Sequence, residues 1–257
     1  ACAFVEKNKG RPFFLYLTPS MPHVPLFASE GFEGKAKSGR LYDDVIQEID
    51  SGVGRLVDAV DKAGIGGNTL IIFSSANGPW VIKEELAGRA LLFRDGKGSS
   101  FEGGVRVPGL MRWTGVIKPG KSDAITSVAD IHPTAAALAK QEIHTAGSLD
   151  GRNISYLFHP GFAPKPENDD QYGLVLTGGG NNRIMTVRKG QWKLHIDTYS
   201  QLWGSKVKHH NSPKVRASRQ EPLLYDLSRD IAETNNVAAQ NKTIVEDLLQ
   251  EIDRFSD

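Results

Sequence analysis

Residues 41–74 read LYDDVIQEIDSGVGRLVDAVDKAGIGGNTLIIFS. Val45, Ile49, Val53, Leu56, Val57 and Val60 recur at three- and four-residue steps with acids between them. That spacing predicts an amphipathic helix over residues 41–63, because a 3.6-residue turn brings those positions onto one face. Gly64, Gly66 and Gly67 end it, since glycine accepts the left-handed conformation that closes a helix. Thr69–Ser74 then forms a short apolar run, the pattern of a buried strand. Upstream, Pro12 stops the helix suggested by CAFVEKNKG, and Phe13–Thr18 (FFLYLT) predicts another buried strand. A helix between two apolar strands is a crossover unit on a parallel sheet, which makes the fold class α/β.

Outward from this unit the pattern changes. Pro19, Pro22 and Pro25 keep TPSMPHVPL out of regular structure. Residues 76–104 are glycine-rich, and a connection of that length inside a domain is usually functional. Strand character resumes over Val105–Trp113, interrupted by Pro108, and DIHPTAAALAK (130–140) predicts a helix capped by Asp130. HPGFAPKPENDD (159–170) reads as a loop. After it come YGLVLT, RIMTVRK and QWKLHID, three runs with strand character. Lys189-Gly190 predicts an antiparallel hairpin between the last two. Residues 203–221 read as a mobile basic loop. Residues 242–255 form an amphipathic helix with Ile244, Leu248, Leu249 and Ile252 on one face. The expected organisation is an α/β domain over residues 1–160, then a small α+β subdomain over 161–257 with an antiparallel sheet and a terminal helix.

Thirty-one basic and 30 acidic residues leave a formal charge of +1, which argues against nucleic acid or an anionic membrane as partner. No apolar run reaches the ~18 residues of a membrane-spanning helix. The first residues lack the features of a signal peptide. The single cysteine, Cys2, excludes an intramolecular disulfide.

Several segments together resemble the type I sulfatases, the arylsulfatase branch of the alkaline phosphatase superfamily. They are RPFFLYLTPSMPHVPL, YDDVIQEIDSGVGRLVDAV with NTLIIFSSANGPW, GKGSSFEGGVRVPGLMRWTG, VADIHPTAAALA with SLDGRNISYLF, and GQWKLH with LYDLSRDIAETNNVA. They occur in the family's order. The resemblance implies a sulfate-ester hydrolase whose nucleophile is a formylglycine hydrate made from the cysteine of a C-x-P-S-R motif. It also implies a divalent cation, usually calcium, bound by carboxylates and an asparagine. By the same match, His23 and Lys97 contact the sulfate group and Asn77 is a metal ligand. Two departures bear on activity. Cys2 is followed by AFVEK and not by x-P-S-R, so the formylglycine is absent. Ala76 stands where the family has an aspartate, giving S-A-N-G-P.

Sulfate cleavage places negative charge on oxygens, and positive groups prearranged in a dry site stabilise it. Lys97 between Gly96 and Gly98 suits this, because glycine lets the backbone approach an oxyanion. A solvated loop lysine is the plain alternative. His23 among prolines is either a hydrogen-bonding site residue or a loop-packing one. Asn77 precedes Gly78, a strong turn signal compatible with either reading. Calcium wants ~6–8 oxygens, several charged. Asn77 alone offers one neutral oxygen, so the chain by itself is expected to bind no calcium at that position. His132 reads as structural. His209 and His210, beside Lys206 and Lys208, lack the spacing of a metal site. Glu102 and Arg106 are expected to form a buried pair locking their loop onto a strand end.

Three functions remain. The chain is a partial, catalytically incomplete piece of a sulfatase acting on a sulfate ester or sulfated sugar. Alternatively, it is a non-catalytic module binding a sulfated or other anionic ligand, which Ala76 favours. Last, Ser74, Ser75, Ser99 or Ser100 serves as an unrelated nucleophile, although none lies in a G-x-S-x-G elbow. Under the first reading half the sheet is missing, and the chain is expected to oligomerise or to pair with the missing N-terminal half.

Overall fold

A computed structural model describes residues 1–143, 149–167, 169, 172–178, 183–203 and 214–256. Packing divides the chain into two compact units. The first comprises residues 1–73, 83–88 and 109–117, and the second residues 74–82, 89–108 and 118–257.

In the first unit, α1 (Cys2–Asn8) lies against α2 (Leu41–Lys62). The periodic valines of α2 do what their spacing predicts: Val45 and Val60 are buried, as is Val5 of α1. The helix closes with a left-handed Gly64, φ +73°. The amide of Gly64 donates to the carbonyl of Asp61 (3.0 Å) and that of Ile65 to the carbonyl of Val60 (3.3 Å). Both orphan carbonyls are thereby satisfied, as in a Schellman motif. Near the start of α2, Asp44 is buried and accepts backbone N–H groups from Ala36 (2.6 Å), Gly34 (2.8 Å) and Lys35 (3.0 Å). The Ala36 and Gly34 amides hold its carboxyl below the usual carboxylate range. Strands β1 (Ile71–Ser74) and β2 (Gly109–Arg112) pair in a two-stranded sheet.

Phe13–Thr18 corrects an expectation. The run forms no strand, and Phe14, Tyr16 and Leu17 are 71%, 81% and 54% exposed. A strand exists only within a hydrogen-bonded ladder, and among the described residues no strand pairs with this run.

The second unit holds most of the glycine-rich segment, with a short helix, α3 (Glu102–Val105), at its end. Next comes α4 (Ile131–Leu138). Asp130 does not cap α4 as expected. A 3-10 turn over Val128–Asp130 precedes the helix, and Ser127 caps that turn. The Asp130 carboxylate reaches back to accept from the Ser127 amide (2.7 Å) and across to accept from the Arg152 amide (2.8 Å). The reciprocal bond with Ser127 is a capping box, one turn earlier than the helix itself suggests.

Four antiparallel strands follow in the order β3 (Gly173–Gly178), β4 (Arg183–Lys189), β5 (Trp192–His195) and β6 (Leu223–Asp226). The predicted hairpin is present: Lys189 pairs with Trp192 across a tight turn at Gly190, φ +55°. Period two gives this sheet two different faces. Val187, Leu194 and Leu224 share one of them and pack against Leu248 and Ile252 of the terminal helix α5 (Lys242–Ser256). Ile244 and Leu249 flank the same cluster, so the predicted helix face is the buried one. On the opposite face, Phe101, Leu223, Tyr225 and Leu227 form a second cluster, joined by Trp203, Val215 and Ala217. Lys193 and His195, out of phase with Leu194, lie fully buried on this side. Of the loop expected over 203–221, residues 204–213, with His209 and His210, lie outside the described residues. Val215 and Ala217 are packed. No helix among the described residues is long and apolar enough to cross a membrane.

Candidate functional site

The segment leaving β1, SANGP, and the segment around Lys97 are joined by backbone. The Gly78 amide donates to the Gly104 carbonyl (2.9 Å) and the Lys97 amide to the Pro79 carbonyl (2.8 Å). Both contacts require glycine. A Cβ on Gly78 would fall 1.8 Å from the Gly103 carbonyl oxygen, and one on Gly96 2.4 Å from that of Pro79. Gly78 and Gly96 therefore let two chain segments interleave.

Lys97 is half-buried, and its Nζ lies 4.9 Å from the centre of the Trp80 ring. That distance fits a cation held over an aromatic face. The Trp80 indole is itself fixed, since Nε1 donates to Oε1 of Gln201 at 2.6 Å. The lysine thus sits on a restrained platform and is no freely solvated loop residue. Asn77 is exposed and its Nδ2 donates to the Gly78 carbonyl (2.9 Å). Its amide oxygen is the single side-chain oxygen of the A-N-G-P stretch. Ala76 offers none, and the described residues contain no group of three or more His, Cys, Asp or Glu able to hold a metal ion. This donor set does not fit calcium.

His23 belongs to the first unit, where it is exposed with Nδ1 2.8 Å from the Val24 carbonyl. Asn77 and Lys97 belong to the second. His132 is exposed at the start of α4. Of the four serines, Ser74 and Ser75 are exposed, whereas Ser99 and Ser100 are buried.

The Glu102–Arg106 pair differs from expectation. Glu102 is 1% exposed, but the Arg106 side chain is 42% exposed and sits at 3.3 Å. The main partner of Glu102 is Lys193, at 2.9 Å and fully buried, with Arg188 at 3.2 Å. Burial would raise the Glu102 pKa. The charges of Lys193 and Arg188 outweigh it and hold the carboxyl below its ordinary value. Lys193 also meets Glu233 at 3.3 Å, and Glu233 binds His195 at 2.8 Å. For Glu233, too, burial acts upward, but Lys193, His195 and the Glu102 amide bring it down to about 2. Burial pushes His195 below its ordinary value, so it is neutral at pH 7. The run QWKLHID predicts a strand but not this network. The one trace in the sequence is the alternation of Lys193 and His195 with Trp192 and Leu194.

Comparison with known proteins agrees with this architecture. Residues 1–141 match the sulfatase family model, and residues 178–257 match the model of the C-terminal region of aryl-sulfatase. The chain is 34% identical to arylsulfatase A of Bos taurus over 96% of its own length and 48% of that protein's. It is 32% identical to steryl-sulfatase of Mus musculus over 98% of its length and 42% of the relative's. A chain solved in work on the metabolism of multiple glycosaminoglycans by Bacteroides thetaiotaomicron superposes with a TM-score of 0.76 at 28% identity, covering 99% of this chain and 52% of that one. The chain spans about half the length of the curated relatives it matches. On the family-model matches and the identity sustained along the chain, it belongs to the sulfatase family.

Proposed function

We propose that the whole protein is a sulfuric ester hydrolase of the arylsulfatase type, and that this chain supplies sulfate contacts of its active site without the reacting group. The observation that carries the reading is the setting of Lys97. Its backbone is pinned to Pro79, its ammonium rests on a restrained Trp80, and both lie within the stretch that matches the family. A fixed cation beside interleaved glycine backbone is suited to a sulfate oxyanion. In this reading Lys97 and His23 contact sulfate, and Asn77 stands at the metal position. The substrate class is a sulfate monoester, carried on an aryl group or a sugar.

Members of the family generally use calcium and formylglycine. These 257 residues hold no C-x-P-S-R motif, and Asn77 beside Ala76 does not fit calcium. The reading therefore assigns neither to this chain. It keeps residues 1–160 as part of the catalytic α/β domain and 161–257 as the C-terminal subdomain. It also assigns the exposed Phe14, Tyr16 and Leu17 to contact with further protein, either the rest of the fold or a second copy. Ala76 favours a second reading, a non-catalytic module that holds a sulfated or other anionic ligand through the same lysine.

Both readings require anion binding at Lys97. Titrating sodium sulfate into the chain at constant ionic strength tests this. Lys97→Ala should weaken sulfate at least about tenfold, the scale set by losing a hydrogen bond to a charged group. Equal affinities would remove Lys97 from the site.

A further inference from the structure

The segment that carries Lys97 is bound by an ionic network whose central members are buried. Arg94, three residues before the lysine, donates to the backbone carbonyl of Glu233 at 2.8 Å. Ser100, three residues after it, lies 3.3 Å from Nδ1 of His195. Glu102 binds Lys193 through its side chain and donates its backbone N–H to Oε2 of Glu233 at 2.6 Å. The other Glu233 oxygen takes His195 at 2.8 Å. Arg94, Ser100, Glu102, Lys193, His195 and Glu233 are each 3% exposed or less.

Register explains how this comes about. Lys193 and His195 are alternate residues of β5, and Lys193 pairs with Tyr225 of β6. All three therefore share the face opposite α5. Glu233 follows β6 and stands at φ +53°, a left-handed conformation unusual for a side chain of its size. Backbone strain persists only where the surroundings over-determine it. Two carboxylates, a lysine and an arginine buried together gain little stability over an apolar set of the same volume. What the network does secure is geometry, since it fixes residues on both sides of Lys97.

Ser100, His195 and Glu233 follow the order of a nucleophile, a base and an orienting acid. The serine and the histidine are both buried, so no substrate reaches them, and the constellation is not a second hydrolytic site.

We propose that Glu233 and His195 are positioning residues for the sulfate contact, holding the 94–102 segment, and with it Lys97, from the polar face of the C-terminal sheet. The proposal rests on the reading of Lys97 as the anion contact. Sodium sulfate affinity, measured on the whole chain, tests it. Glu233→Gln keeps the shape of the side chain and should weaken sulfate about tenfold, as loss of a supporting contact does at a ligand site. On a Lys97→Ala background the same substitution should change affinity by less than about twofold, because its route of action is gone. Retained affinity in Glu233→Gln, or an equal loss on both backgrounds, overturns the proposal. Should Glu233→Gln not fold, Ser100→Ala removes only a hydroxyl. It should weaken sulfate about threefold, the scale of one neutral hydrogen bond, and unchanged affinity there overturns the proposal. If the unsubstituted chain binds no sulfate, the Lys97 reading fails, and amide exchange decides the positioning claim. Faster exchange of the 95–104 peptide in Glu233→Gln, with α5 unchanged, supports it; unchanged exchange of that peptide overturns it.

Discussion

Lys193→Met lowers the unfolding free energy by about 3–5 kcal/mol, the range for breaking a buried ion pair on one side only. Lys193 is fully buried and lies 2.9 Å from Glu102 and 3.3 Å from Glu233, whose side chains are 1% and 0% exposed. Methionine fills the volume, so packing is nearly kept and the loss is electrostatic. Without the ammonium, Glu233 retains His195 and the Glu102 amide, while Glu102 retains Arg188 and the more exposed Arg106. Equilibrium urea unfolding measures the effect. Adding Glu102→Gln and Glu233→Gln to the same chain should recover most of it, since the uncompensated charges then go too. A loss below about 1 kcal/mol would place the pair among surface ion pairs.

Acid should destabilise the second unit in two stages. In the folded chain Glu233 titrates at about 2, below its ordinary 4.5. Its contribution is therefore complete above pH 4.5 and is lost as pH falls from there towards 2, because only the unfolded chain binds the proton in that window. The difference amounts to roughly 3 kcal/mol. His195 acts with the same sign at higher pH. Burial depresses its pKa below 6.5, so the unfolded histidine protonates first and stability starts to fall below pH 6.5. Urea midpoints at pH 7, 5.5, 4 and 3 should decline steadily, and Glu233→Gln should flatten the acid limb below 4.5. A midpoint constant from pH 7 to 3 would contradict the burial of both groups.

The long periodic elements were legible in the sequence. The valines at 45, 53, 57 and 60, the glycine stop at 64, the Lys189-Gly190 hairpin and the face of α5 all follow from local spacing and turn chemistry. Phe13–Thr18 was not legible as an unpaired segment, because apolar content reports burial propensity and says nothing about whether a neighbouring strand is present. Asp130 was misread for a related reason: a helix preceded by a 3-10 turn moves its cap three residues upstream, and residue type alone does not fix that offset. At the site, the resemblance picked out Lys97, His23 and Asn77 on segments rich in glycine and proline. It did not supply what holds Lys97. Trp80 meets Gln201 across 121 positions of chain, and Glu102 meets Glu233 across 131. Contacts of that separation leave no periodicity. The one available trace was the alternation of Lys193 and His195 with apolar residues, which fits a solvated strand face as well as a buried ionic one.

In the proposed reading this chain carries sulfate contacts of a sulfatase site without its reacting group. Hydrolysis of a chromogenic aryl sulfate by the purified chain, with calcium present and Lys97→Ala as the control, tests that reading. The expected result is no turnover above the Lys97→Ala control. Turnover that calcium raises and Lys97→Ala abolishes would contradict it, and would require a nucleophile and metal ligands among these 257 residues.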